Sequence, residues 1–144
     1  MQHKRPTGPT PKQNKMIQEA VALHQFGQLD AAELEYKKLL NFLPSNIDLL
    51  TNLGTIALQK GNLEDGIRII GKSLKINPNQ PNALNNQGNA LLELKRQDEA
   101  LASYDRAIAL KPDFAEAYSN RGNALKELKH LEEALASYDR AIVL

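Results

Sequence analysis

One stretch of this sequence is written almost twice. Ala83 to Leu110 (ALNNQGNALLELKRQDEALASYDRAIAL) returns as Ala117 to Leu144 (AYSNRGNALKELKHLEEALASYDRAIVL), with equivalent residues 34 apart. Gly88 answers to Gly122, Ala100 to Ala134, Tyr104 to Tyr138 and Ala107 to Ala141. Each copy holds two apolar-periodic runs, the pattern of a helix-turn-helix repeat of that length. Such a unit buries its apolar face on its neighbours and not around one centre. The chain is therefore expected to be an array.

The same period reaches further back. Two positions are small in all four copies: Ala20, Gly54, Gly88, Gly122 and Ala32, Gly66, Ala100, Ala134. Small side chains there let the two helices of a hairpin cross closely. Bulky partners recur as well, with Met16, Leu50, Leu84 and Tyr118 in the first helices and Tyr36, Ile70, Tyr104 and Tyr138 in the second. Pro44, Pro78 and Pro112 close three copies, because proline has no N–H and cannot continue a helix. These residues resemble the tetratricopeptide repeat. The resemblance implies an all-α, right-handed superhelical solenoid of about four helix-turn-helix repeats, near 13–46, 47–80, 81–114 and 115–144, the last cut short. It departs at Ser73, where alanine is expected, and at Ala20, where glycine is.

Composition narrows the function classes. The net charge is +1, so the global field offers no reason to expect nucleic acid or an anionic membrane as partner. No cysteine is present, which removes disulfides, thiolate metal sites and a catalytic thiol. No apolar run approaches membrane-spanning length, and no apolar segment follows the first basic residues, so no signal peptide and a cytoplasmic protein are expected. Residues 1–12 (MQHKRPTGPTPK), with three prolines and three basic residues, read as a disordered tail. Ser45, Asn79 and Asp113 follow the prolines as expected N-caps, with Asp48, Asn82 and Glu116 in the reciprocal capping-box place. Asp30 and Asp98 are expected to cap second helices. Pro81 suits a first helical position. Gly27 and Gly61 mark the turns of the first two copies. The other two turns have no glycine, only Arg96 and His130 nearby, so they are expected to avoid strained φ. Gly71 has no packing reason.

No catalytic constellation emerges. His3, His24 and His130 are scattered, without metal-ligand spacing, and His24 and His130 read as surface or turn residues. No phosphate-cradling loop is present. The expectation is no enzyme, no cofactor and no metal.

What remains is a surface. Positions i, i+4, i+7 and i+11 define the first-helix face away from the tight crossing. There Asn52, Asn86 and Asn120 form a row, joined by Asn89, Asn123, Gln59, Glu93 and Glu127. In the repeat family first helices line the concave groove, so the resemblance implies that these residues face inward. Asparagine carries donors and an acceptor together and suits the backbone of an extended peptide. The expected function is a protein-interaction scaffold holding a peptide in that groove. The row also resembles the asparagine ladder of the repeat arm of O-linked N-acetylglucosamine transferases, so a substrate-recognition arm of a larger glycosyltransferase is the alternative. A carboxylate clamp is not expected, because its basic positions hold Thr51, Asn85, Glu116 and Asn120. Leu135, Ile142 and Leu144 are expected to lie uncovered, as in a piece of a longer array or a self-assembly module docking on another copy.

Overall fold

The structure is a computed structural model that describes residues 8–144. Eight helices follow one another among these residues: α1 (Pro11–Gln25), α2 (Leu29–Phe42), α3 (Ile47–Gln59), α4 (Leu63–Ile76), α5 (Pro81–Glu93), α6 (Gln97–Leu110), α7 (Ala115–Glu127) and α8 (Leu131–Val143). They pair as four hairpins, α1 with α2 through α7 with α8, stacked in chain order. The fold is the expected all-α, right-handed solenoid. Its core runs along the stack as successive clusters, from Tyr36, Leu49 and Ile56 to Ile70, Leu84 and Ala117, then Leu91, Tyr104 and Ala124.

The helix starts correct several sequence expectations. The tail expected over residues 1–12 lies outside the described residues up to Thr7, and α1 already begins at Pro11. Thr10 and Gln13 form its capping box: Thr10 Oγ1 accepts from the Gln13 N–H at 3.2 Å, and Gln13 Oε1 from the Thr10 N–H at 2.9 Å. At α3, α5 and α7 the caps are Asn46, Gln80 and Phe114, one residue beyond the expected Ser45, Asn79 and Asp113. Pro81 explains the shift at α5. As the first helical residue it makes Gln80 the cap. Only Asn46 of the three caps through its side chain, its Oδ1 accepting from the Leu49 N–H at 3.0 Å. Asp48 and Glu116 thereby move into the first turn, where they favour the positive end of the helix dipole. Asp30 and Asp98 do the same in α2 and α6, whose cap positions are Gln28 and Arg96.

All four hairpin turns share one geometry. The N–H groups of Gln28, Asn62, Arg96 and His130 reach back to the carbonyls of Leu23, Ala57, Leu91 and Leu125 at 2.8–2.9 Å. This is the Schellman arrangement, and it needs a left-handed residue just past the helix. Gly27 and Gly61 supply it at φ 76° and 81°. Contrary to expectation the glycine-free turns are not relaxed: Lys95 and Lys129 take φ 60° and 63°. The hydrogen bonds of the turn impose that conformation whatever the residue. A left-handed non-glycine costs ~1–2 kcal/mol, partly offset by the greater freedom glycine loses on folding. Lys129→Gly is therefore expected to stabilise the protein by ~0.5–1 kcal/mol in urea unfolding. A loss of stability would contradict this account of the turn.

The small positions sit where the helices cross. A Cβ added to Gly54 would stand 2.6 Å from Ile70 Cγ1, and one on Gly88 or Gly122 would stand 2.6 or 2.7 Å from the ring of Tyr104 or Tyr138. Ala20, Ala32 and Ala100 are wholly buried. At Gly71 a Cβ would meet only Gln87 Nε2, at 3.8 Å, so that glycine is not needed for close approach. Ser73 is buried where other copies hold alanine or leucine, and its hydroxyl is satisfied by Thr51 Oγ1 at 2.8 Å and by the Gln80 amide at 3.0 Å.

Ion pairs join neighbouring repeats at the turns. Lys60 reaches Asp30 and Glu33 at 2.6 Å, and Arg96 reaches Glu64 at 3.4 Å. Hydrogen bonds from Lys37 and then Lys60 hold the Glu33 carboxyl below its ordinary range. Between repeats α3 approaches α5 and α5 approaches α7, while no comparable approach joins α4 to α6 or α6 to α8. The stack thus closes on the first-helix side and opens on the second-helix side. This fits the concave face that the resemblance implies for the first helices.

Candidate functional site

On the concave side a cleft of about 400 Å³ runs between α3 and α5. Gln59, Asn86, Asn89 and Glu93 line it together with Thr55, Leu58, Leu63 and Ala90. Four of the eight sequence-selected residues therefore meet in one depression. The apolar floor of Leu58, Leu63 and Ala90 was not among them. Leu63 comes from α4, which reaches the cleft only through the hairpin turn.

The amides do not all have the same freedom. The Tyr104 hydroxyl donates to Asn89 Oδ1 at 2.7 Å, and the Tyr138 hydroxyl donates to Asn123 Oδ1 at 2.6 Å. Each tyrosine reaches from the second helix of its own hairpin and fixes one amide by its carbonyl. The two N–H donors of that amide stay without a partner among the described residues. Burial, reinforced by the Glu116 and Glu127 carboxylates, pushes the Tyr104 hydroxyl far above its ordinary pKa. It therefore stays a donor at any ordinary pH.

Asn120 is different. Its Nδ2 donates to Asn85 Oδ1 at 3.1 Å, and Asn85 Nδ2 donates to Glu116 Oε1 at 3.0 Å. Asn85 is 2% exposed, so this chain tacks α5 to α7 inside the stack. The sequence placed Asn85 only among the positions of an absent carboxylate clamp, although a polar residue between Leu84 and Gly88 on the packed face was a usable structural signal. Glu127 receives Lys95 at 3.4 Å and Gln97 at 3.2 Å, tying it to the preceding hairpin. Asn86 makes no side-chain hydrogen bond among the described residues, and Glu93 no ion pair.

The first hairpin departs from this scheme. Val21 stands where Asn89 and Asn123 do, and the Tyr36 hydroxyl is buried without a hydrogen-bond partner among the described residues. Burial raises its pKa; Asn52 lies close enough to pull it partly back, but outside hydrogen-bond geometry. His24, expected as a surface or turn residue, makes specific contacts there. It sits half-buried in the last turn of α1, its ring edge-on to Tyr36 at 6.2 Å, with Nε2 2.8 Å from the Gln59 side-chain Oε1. Gln59 is thus engaged across the first repeat junction.

Sequence models of the repeat match this chain in four overlapping spans. Those described as "Tetratricopeptide repeat" cover 47–80, 70–102 and 115–144, and one described as "TPR repeat" covers 88–129. Together they run unbroken from 47 to 144. The chain belongs to the tetratricopeptide repeat proteins. No curated protein sequence matches it. Among solved structures it is similar to a crystal structure of MamA, with 26% identity over 86% of this chain and 72% of that one and a TM-score of 0.82. A second, titled "MamA 41-end from Desulfovibrio magneticus RS-1", shares the fold at a TM-score of 0.87 and 21% identity, covering 94% of this chain and 76% of that one. As a tetratricopeptide repeat array the chain is a protein–protein interaction scaffold. Among the described residues no helix is long and apolar enough to cross a membrane.

Proposed function

We propose that the array holds an extended peptide segment along its concave face, with side-chain amides pairing to the peptide backbone. The observation that carries this reading is the anchoring of Asn89 and Asn123 by tyrosine hydroxyls, from the buried Tyr104 and the half-buried Tyr138. An amide fixed through its carbonyl presents its N–H pair in one orientation, so little ordering entropy is lost when a peptide carbonyl arrives. Asn86 and Glu93 stand free beside Asn89 on the cleft wall, and Leu58 and Leu63 give an apolar floor for a side chain. Asn52 extends the row into the preceding repeat. Asn120 belongs to the scaffold, because its amide is spent on Asn85.

The test starts from a peptide captured by the protein from a phage-displayed random library and titrates it against variants. Asn86→Ala with Asn89→Ala is expected to weaken binding about tenfold, since each hydrogen bond is worth ~0.5–1.5 kcal/mol. Helicity should be unchanged. Asn120→Ala is expected to lower the melting temperature instead, through the loss of the Asn85 contact. Unchanged affinity in the double variant would place recognition elsewhere.

A second reading rests on α8, where Leu131, Leu135 and Ile142 are 64%, 61% and 80% exposed. Beside them Glu116, Asn120, Tyr138 and Ile142 line an open depression of about 640 Å³. A patch of this kind recruits partners, and a second copy of the chain is the occupant proposed. Sedimentation is expected to show concentration-dependent association that Leu135→Glu with Ile142→Glu abolishes. A chain that stays monomeric at high concentration would remove this reading.

A further inference from the structure

The convex side carries a second groove that the concave reading does not use. It lies between α2 and α4 and encloses about 530 Å³. Its floor and walls are apolar: Leu53 from α3, Leu40 from α2, and Ile69 and Ile76 from α4. Ile76 is 47% exposed. The rim is cationic, with Lys37 on the α2 side and Arg68, Lys72 and Lys75 on the α4 side. The spacing 68, 72, 75 places the three on one helical face. No carboxylate lines the groove. Lys37 and Arg68 each meet an acid on their own helix, Glu33 and Asp65, whereas Lys72 and Lys75 have no ion pair among the described residues.

The repeat gives an internal control. One period on, Lys37, Arg68, Lys72 and Lys75 become Gly71, Ala102, Arg106 and Ala109. The walls change too, Leu53 becoming Gln87 and Ile69 becoming Ser103. Another period on, Asp105 stands where Lys37 does. The same backbone therefore forms with one of the four cations, Arg106, and with two wall residues made polar, so stacking does not require the rest. The position of Lys72 is basic in every copy (Lys38, Arg106, Arg140), but its combination with Lys37, Arg68, Lys75 and this apolar lining occurs at one junction, and that combination calls for a reason outside the scaffold.

We infer that the α2–α4 groove of the convex face docks an acidic amphipathic segment of a partner protein, its apolar side chains entering between Leu40, Ile69 and Ile76 and its carboxylates meeting Lys72 and Lys75. A long apolar side chain fills such a groove, and opposite charge on the rim selects and orients what enters. A nucleic acid fits less well, because the lining has no aromatic ring for a base to stack on. A membrane fits less well because the apolar surface is recessed and not protruding.

The test uses a fluorescein-labelled synthetic helical peptide with one stripe of leucines flanked by glutamates. Two counterparts carry lysine for glutamate and serine for leucine. Saturable binding of the acidic peptide is expected, about tenfold weaker for Lys72→Glu with Lys75→Glu, each a rim charge turned from attraction to repulsion. The lysine peptide should bind only that charge-reversed variant. Ile76→Ser, exposed enough to fold, should weaken the acidic peptide too, while Asn86→Ala with Asn89→Ala should leave it unchanged. That last arm separates this surface from the concave groove. Absent binding, or equal binding of the serine peptide, would overturn the inference. So would tighter binding of phosphatidylserine vesicles or single-stranded DNA that the same charge reversal abolishes, which would assign the face to a membrane or a nucleic acid.

Discussion

Replacing Tyr104 by alanine is expected to lower the stability of the array by ~3–5 kcal/mol, the range for removing a buried aromatic ring. The ring is wholly buried and lies against Gly88, so its removal opens a cavity at a crossing the backbone cannot close. Tyr104→Phe keeps the ring and loses only the bond to Asn89, at ~0.5–1.5 kcal/mol. Tyr36→Phe should cost nothing or stabilise, because the Tyr36 hydroxyl has no partner to lose among the described residues. Gly88→Ala overpacks against the native ring and should be destabilising, yet become neutral or favourable on the Tyr104→Ala background. Urea unfolding of the single and double variants reads all four. Equal losses for the two phenylalanine variants would show that the tyrosine–asparagine bonds hold nothing.

The second large effect belongs to the other side of the crossing. Ala100→Leu is expected to cost ~1–3 kcal/mol by overpacking, since Ala100 is fully buried between the helices of the third hairpin. Ala102, two residues along the same helix, is exposed, and Ala102→Leu should stay within ~0.5 kcal/mol of the parent. Because neighbouring repeats share interfaces, the loss at Ala100 should also speed hydrogen exchange in α5 and α7. Similar losses at the two sites would mean that the small residue is not needed for close approach.

Much of this molecule was legible in its sequence because a repeat announces its own geometry. The period of 34 sets the unit, and the small residues at 20, 54, 88, 122 and at 32, 66, 100, 134 locate the crossings. A missing side chain is a steric statement that survives any context. The proline signals bounded the helices to within a residue or two for the same local reason. Hydrogen-bond bookkeeping between helices is not local, and there the sequence was silent. Asn52, Asn86 and Asn120 look equivalent along the chain. Tertiary packing commits Asn120 to Asn85 and leaves Asn86 free, since only the stack decides which neighbour comes within reach. It also fixed Asn89 and Asn123 through tyrosines fifteen residues away. It forced Lys95 and Lys129 into a conformation their side chains disfavour, because the closing bonds of the turn outweigh a local preference of ~1–2 kcal/mol. Periodic sequence determined the unit and where its helices touch; the stacking of unlike copies decided which polar groups are spent holding the array together and which face outward to a partner.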